Sequence, residues 1–327
     1  MSEWSFLVPP DITVTVRARR KPALLARCLD DETAPVADPA LLLDLEGPAE
    51  SGRTAGGRYK SIPWRCGVAG LPTGGLALSW GSRLLSEYLS LHIALLPVLE
   101  RLLAERDVAL VLGAAFEMDG EATVLAGETG AGKTAALLAM LDARACLVGD
   151  EYVGVSAGGE VSRVLRVIAL RQATLHDMRG LSERLSGGRR CALSVSALAA
   201  WLTGRRLDPL VHVSPEEVGA RTAEGGRIST LCWLERTNAN APRCEPMRAE
   251  EALEALDGMR AAHDRAYSGL AAVLPPLDVA RWRETLARGL RGARCVKIEL
   301  PRGPLPAGTL RDLVGQTKHD VPARTSA

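Results

Sequence analysis

An α/β fold is predicted by three features of the sequence. The apolar strand Ala122–Ala126 runs into the glycine-rich octapeptide Gly127-Glu128-Thr129-Gly130-Ala131-Gly132-Lys133-Thr134, and a helical run over 134–141 leads out of it. A second short apolar strand, Ala145–Gly149, ends in the acids Asp150 and Glu151. The rest of the chain mixes strand and helix patterns.

The octapeptide fits the phosphate-binding pattern of glycine, four free positions and Gly-Lys-Ser/Thr, and strand-in, helix-out is the context that pattern requires. Its glycines let backbone N–H groups turn inward around an anion with no Cβ in the way. The helix that follows directs the positive end of its dipole at the same point. Lys133 adds a full charge near the β and γ phosphates, and the Thr134 hydroxyl can ligate Mg²⁺. Asp150 and Glu151 stand at the carboxyl end of a strand beside this loop, where open α/β sheets bind ligands. Carboxylates there can hold Mg²⁺ and accept a proton from an attacking hydroxyl. These residues predict a nucleotide site.

The bulk composition narrows the class. With 327 residues and 47% hydrophobic content, the chain can bury one large core or two ordinary ones. A formal net charge of +1 provides no broad attraction for nucleic acid or for an anionic membrane. Seven scattered cysteines with no C-x-x-C pair argue against a zinc site and a disulfide framework and for a reducing compartment. The opening Met1–Phe6 carries an acid where a signal peptide needs basic residues. The most apolar segment, Leu84–Leu103, is interrupted by Glu87, His92, Pro97 and Glu100 and reads as a buried helix pair rather than a membrane span. A cytoplasmic protein is expected.

In chain order, Ile12–Arg19 alternates as a half-buried strand, Ala40–Leu45 is a second strand, and Gly47–Gly57 reads as an exposed loop. The glycines between Trp64 and Trp80 suggest a short hairpin region. Ser82 is a candidate N-cap for a helix whose apolar face runs from Leu85 to Leu103, with Pro97 kinking or splitting it and His92 as a core histidine. Strand residues 108–112 and 114–118 lead to the turn Asp119-Gly120, which makes a hairpin with Ala122–Ala126. Tyr152–Val155 and Val161–Leu165 flank the turn Ala157-Gly158-Gly159. Arg171–Trp201 reads as helical with a mostly polar exterior, Ile228–Glu235 as a buried strand and Thr237–Arg248 as a loop. Helices over Glu250–Met259 and Val279–Leu290, the last strand Cys295–Leu300, a short helix Leu310–Val314 and a loose tail complete the reading. Leu185-Ser186-Gly187-Gly188-Arg189 approximates an ATP-binding-cassette signature, but the strand ending in Asp150-Glu151 precedes it instead of following, so it reads as a basic Gly-Gly turn.

The stretch from Leu112 to Val155 resembles the C-terminal domain of HPr kinase/phosphorylase and its kinase-like relatives. That family carries Gly-[Asp/Glu]-[Ser/Thr]-Gly-x-Gly-Lys-[Ser/Thr], one helix, and an apolar strand ending in an acidic pair, which Gly127–Thr134 and Asp150-Glu151 match. The looser resemblance extends over Ser82–Val314. It implies a phosphoenolpyruvate-carboxykinase-like P-loop core over 82–316. The flanking residues themselves read as a small β-rich N-terminal lobe over 1–81, which does not resemble that of the HPr enzymes, and a flexible tail over 317–327. The resemblance also implies ATP and Mg²⁺ as cofactors and phosphorylation of a hydroxyl, either a serine of a peptide or protein or a small molecule. Self-association is part of the same implication. Asp150 would be the base and a metal contact, with Lys133 assisting catalysis and Thr134 and Glu151 as further metal contacts; Arg171 and Arg236 stand near the expected mouth of the site. The chain departs from the family at two positions. Glu151 replaces a second aspartate, and Leu112 stands where the family has a histidine. These departures keep open a second reading, a nucleotide-binding accessory or regulatory protein serving a peptide- or natural-product-modifying system.

Overall fold

The computed structural model of the chain describes residues 1–314 except 30, 31, 35, 37, 47–51, 60, 61, 72–74, 81–85, 179, 205–208, 239, 240, 267–269, 271, 302–307, 310 and 311. It is a mixed α/β fold with two large sheets. The first part of the chain contributes β1 (Ser2–Val8), β2 (Ile12–Ala18), the helix α1 (Ala23–Cys28), β3 (Glu32–Thr33), β4 (Leu41–Asp44), β5 (Arg53–Tyr59), β6 (Ile62–Gly70) and β7 (Leu76–Trp80). These strands form a seven-stranded sheet in the order β3-β1-β2-β4-β7-β6-β5. The alternation of β2 buries Ile12, Val14 and Val16 completely, and β4 lies parallel to both β2 and β7.

The loop expected over Gly47–Gly57 is a correction in part. From Arg53 onward it is strand, paired to β6, while 47–51 lie outside the described residues. Glycine is used here for close approach. A Cβ on Gly57 would stand 3.3 Å from the Trp64 ring, which in turn stacks on Trp80 at 6.0 Å. The low strand propensity of glycine conceals such a strand in the sequence.

The next helix runs as α2 (Ser86–Leu89), a π-helical stretch Ser90–Leu95 and α3 (Leu96–Ala104). The candidate cap Ser82 lies outside the described residues. Pro97 sits in the first turn of α3. Lacking an N–H for the preceding turn, it is accommodated by the widened π turn just before it, so the expected break is a change of helix type.

The second part of the chain contributes β8 (Val108–Met118), β9 (Glu121–Ala126), α4 (Lys133–Asp142), β10 (Cys146–Gly149), β11 (Tyr152–Ser156), β12 (Glu160–Arg163) and β13 (Ile168–Leu170). It continues with α5 (Gln172–Asp177), α6 (Leu181–Arg184), α7 (Gly187–Leu202), β14 (Val211–Val213), β15 (Arg221–Thr222), β16 (Gly225–Thr237) and β17 (Arg243–Pro246). The last elements are α8 (Ala249–Ala266), α9 (Val279–Gly289) and β18 (Arg294–Pro301). A nine-stranded sheet runs β15-β10-β8-β11-β12-β16-β18-β17, with β9 paired to both β8 and β16. Asp119 and Gly120, at φ 59° and 81°, close the β8–β9 hairpin with the left-handed pair that such a two-residue turn demands. β9, β16 and β18 run parallel, so their carboxyl ends converge on one edge of the sheet.

Helix α4 and the α5–α7 region cover one face of this sheet, and α8 and α9 cover the other, where Trp282, Leu256 and Leu286 pack among Val111, Val124 and Val155. A third cluster joins the two sheets: Phe6, Val14 and Leu43 share a core with Leu91, Leu95 and Leu110. Two further expectations are corrected. The loop Thr237–Arg248 contains β17, a fully exposed edge strand with no apolar alternation to reveal it. The C-terminal half of α7 turns apolar side chains outward, with Val195, Leu198, Trp201 and Leu202 each more than half exposed, while Arg190 and Ser194 are exposed nearer its start. Leu185–Arg189 leads into α7 and starts it, Ser186 accepting from the Arg189 N–H and Arg189 pairing with Glu217. The short helix expected over Leu310–Val314 is described at 312–314, and residues 315–327 lie outside the described residues. Among the described residues, no helix is long and apolar enough to cross a membrane.

Glu100 on α3 is 6% exposed, and burial raises its pKa to about 7, with Asp264 adding to the rise and Arg260 and Arg101 opposing it. The folded protein therefore holds this proton more tightly than the unfolded chain, and stability falls as pH rises from about 4.5 toward about 7. Glu100→Gln is expected to flatten that fall. Urea unfolding at pH 5 and pH 8 reads it, and an equal stability difference between variant and parent at both pH values would contradict the assignment.

Candidate functional site

The octapeptide bridges the C-terminal end of β9 and the first turn of α4. Its backbone needs glycine at three places: Gly127, Gly130 and Gly132 have φ of 144°, 88° and 102°. Gly127 also lies against β16, where an added Cβ would stand 2.3 Å from the Leu234 carbonyl oxygen. Gly132 precedes α4 as its N-cap, with Arg236 and Leu300 beside it. The loop thus rests on the carboxyl ends of the parallel strands, the position where α/β sheets present ligands to helix N-termini. Six residues of α4, Ala135 to Met140, are buried, and that packing anchors the helix.

Lys133 folds back over the loop. Its Nζ donates to the Gly127 carbonyl at 2.6 Å and to the Glu128 carbonyl at 3.1 Å. Burial lowers its pKa to about 8, an effect that the neighbouring Asp150 partly offsets. The Thr134 hydroxyl lies 3.3 and 3.2 Å from the two carboxylate oxygens of Asp150. Asp150 is 1% exposed and accepts a further hydrogen bond from the Ala169 N–H at 2.9 Å. Burial pushes its pKa up to about 6; the Ala169 hydrogen bond works against that rise, and the charge of Glu151 adds to it.

Glu151 takes a different direction. Its backbone is left-handed, at φ 66°, and its carboxylate lies 3.0 Å from His212 Nε2. Burial raises the Glu151 pKa, but the hydrogen bond with His212 and the charges of His92, His212 and Arg171 outweigh that and hold it below the ordinary carboxylate value. Leu112 stands opposite Tyr152 in the β8–β11 ladder, and the Gly113 N–H donates to the Glu151 carbonyl at 2.9 Å. An imidazole does reach the acidic pair, therefore, but from β14 instead of β8.

A cavity of about 820 Å³ gathers these groups. Thr129, Gly130, Gly132, Lys133, Thr134, Asp150, Glu151 and Leu112 line it, together with Arg171, Arg236, and Ser196 and Trp201 of α7. Its volume falls in the range of small-molecule and cofactor sites. Among the residues singled out in the sequence, Lys133, Thr134 and Asp150 come together, Arg171 and Arg236 join them, and Glu151 faces the histidines. The sequence reading missed His212 and gave His92 only a packing role. His212 sits in a three-residue strand paired to β13, 61 positions from Glu151, and no local pattern announces the contact.

No family model matches the sequence, and no curated protein matches it. Among solved structures the chain is similar to the Hpr(Ser) kinase/phosphatase from Coxiella burnetii at 12% identity, with a TM-score of 0.30, over 64% of this chain and 95% of that one. The likeness is distant.

Proposed function

We propose that this chain is a kinase-like protein that binds Mg-ATP on Gly127–Thr134 and transfers a phosphoryl group to a hydroxyl. The observation that carries the reading is the juxtaposition of the Thr134 hydroxyl and the Asp150 carboxylate at 3.2–3.3 Å, in the cavity that Lys133 and the glycine loop also line. The residues fit the ligand. Thr134 and Asp150 present the hard oxygen donors that Mg²⁺ takes. Lys133 holds a cation over the loop, and an added Cβ on Gly130 would meet nothing within 4 Å, so the loop is open where an anion would approach.

Bound Mg-ATP would supply the phosphoryl group and neutralise charge on its oxygens. Lys133 and the N-terminal amides of α4 stabilise the negative charge that spreads during transfer. Arg171 and Arg236, on the cavity wall, offer further positive charge to the same oxygens. Asp150 receives the acceptor's hydroxyl proton. A carboxylate with a pKa near 6 is ionised at neutral pH yet more basic than an ordinary aspartate, which suits a general base. In this reading residues 82–316 carry the site and 1–81 form the β-rich lobe. The acceptor is a peptide or protein serine or a small-molecule alcohol.

A second reading, a nucleotide-binding accessory protein, is favoured by Leu112 on the cavity wall and by the engagement of Glu151 with His212. Incubation with Mg-ATP and hydroxyl acceptors, followed by ³¹P NMR beside Lys133→Ala, separates the two. A phosphoester resonance that Lys133→Ala abolishes is expected; saturable ATP binding with no transfer would favour the accessory protein.

A further inference from the structure

Beside the nucleotide loop, two imidazoles and a carboxylate converge from three distant parts of the chain. His92 comes from the π-helical stretch, Glu151 from the bend after β10 and His212 from β14. One ligand atom of each lies within 4.8 Å of the other two. The His92 and His212 rings face each other at 5.6 Å and 29°, with Tyr88 packed against both at 4.6 and 6.5 Å. His92 is 5% and His212 3% exposed. We propose that His92, Glu151 and His212 form a binding site for a divalent transition-metal ion of the zinc class, distinct from the Mg²⁺ contacts at Thr134 and Asp150.

The donor chemistry selects the ion. Two neutral imidazoles and one carboxylate suit Zn²⁺ and its transition-metal neighbours, whereas Mg²⁺ and Ca²⁺ take oxygen donors. Two local features present the donors. The π turn that carries His92 is a rare geometry that recurs at functional sites. Glu151, a non-glycine residue at φ 66°, is held in left-handed backbone while its carbonyl accepts the Gly113 N–H, a strain of the kind that clusters at ligand clamps. Glu151 and Leu112 also line the cavity, so the site opens toward the nucleotide side. Three protein ligands with one open position is the arrangement of a reactive metal centre, while a purely structural zinc site is closed by four.

The site does not depend on nucleotide binding, and its test uses the metal alone. The full chain carries C191S and C244S to remove its exposed thiols, is stripped with chelator and desalted, and is then titrated with Zn²⁺ against a chromophoric chelator. One equivalent is expected to bind with micromolar or tighter affinity and to raise the melting temperature, with millimolar Mg²⁺ failing to compete. Outer-shell changes at metal sites cost 10–100-fold, so loss of a ligand in His92→Gln or His212→Gln should weaken Zn²⁺ by about 100-fold or more. Thr134→Val, which removes an Mg²⁺ donor, should leave Zn²⁺ affinity within about threefold of the parent, since it does not touch a Zn²⁺ ligand. X-ray absorption of the Zn-loaded parent needs no variant and should show two imidazoles in a nitrogen/oxygen shell at about 2.0–2.1 Å. No stoichiometric Zn²⁺, unchanged affinity in both histidine variants, or a shell containing sulfur or fewer than two imidazoles would overturn the proposal and leave a hydrogen-bonded Glu–His pair.

Discussion

Asp150→Asn is expected to lower phosphoryl transfer by about 10²–10⁴-fold, the usual worth of a positioned general base, while ATP binding changes far less. Asparagine keeps the shape and can still meet the Thr134 hydroxyl and the Ala169 N–H, so the fold around α4 and β13 should persist. What disappears is the proton acceptor and a unit of negative charge. In the parent, kcat/KM should rise with pH through the Asp150 pKa, near 6 in the free site. That ascending limb should vanish in the variant. Single-turnover kinetics over pH 5–8 measure both effects. A variant within fivefold of the parent, or one that retains the limb, would remove Asp150 from the base role.

Gly127→Ala is the second large effect. A Cβ at this position would stand 2.3 Å from the Leu234 carbonyl oxygen and 3.2 Å from the Ala131 Cβ, and at φ 144° the alanine backbone itself is strained. The nearest obstacle is backbone of the central strand β16, which cannot rotate out of the way. The loop must lift off the sheet edge, so nucleotide affinity should fall by more than about tenfold, as for any displaced charge-assisted contact set. Strained backbone of this kind costs about 1–3 kcal/mol, and the collision adds to it. Gly130→Ala provides the contrast. Its φ is 88° but its Cβ would meet nothing within 4 Å, so its loss of stability should stay near the conformational cost alone. Calorimetric melting of the two variants, beside ATP titrations, decides the order. Equal stability losses would show that contact with β16 does not hold the loop.

The parts of this molecule that were readable in advance are those whose physics is local. The strand, the glycine turn and the helix from Ala122 to Leu141 declare themselves within twenty residues, because a tight strand-to-helix turn through left-handed backbone needs glycine at fixed, closely spaced positions. The Asp119-Gly120 hairpin is similarly self-contained. Legibility failed where pairing partners supply the stabilisation. β17, Arg243-Cys244-Glu245-Pro246, is entirely exposed and is strand only because β18 offers it an edge. β13 and β14 have three residues each and define each other across more than forty positions. His212 followed the same logic, since only the tertiary fold brings it to Glu151. His92 was read as a core residue on an apolar helical face. It is buried as expected, but its neighbours are His212 and Tyr88. The outward apolar residues of α7 contradict the polar exterior assigned to that region, because helical periodicity reveals an apolar stripe without saying which way it faces.

Phosphoryl transfer requires that the glycine loop hold a nucleotide. Isothermal titration of the full chain with Mg-ATP, repeated on Lys133→Ala, addresses that directly. One site per chain is predicted, with affinity falling by about tenfold or more when the lysine charge over the loop is removed. The absence of saturable binding to the parent, or equal affinity in Lys133→Ala, would contradict the central claim.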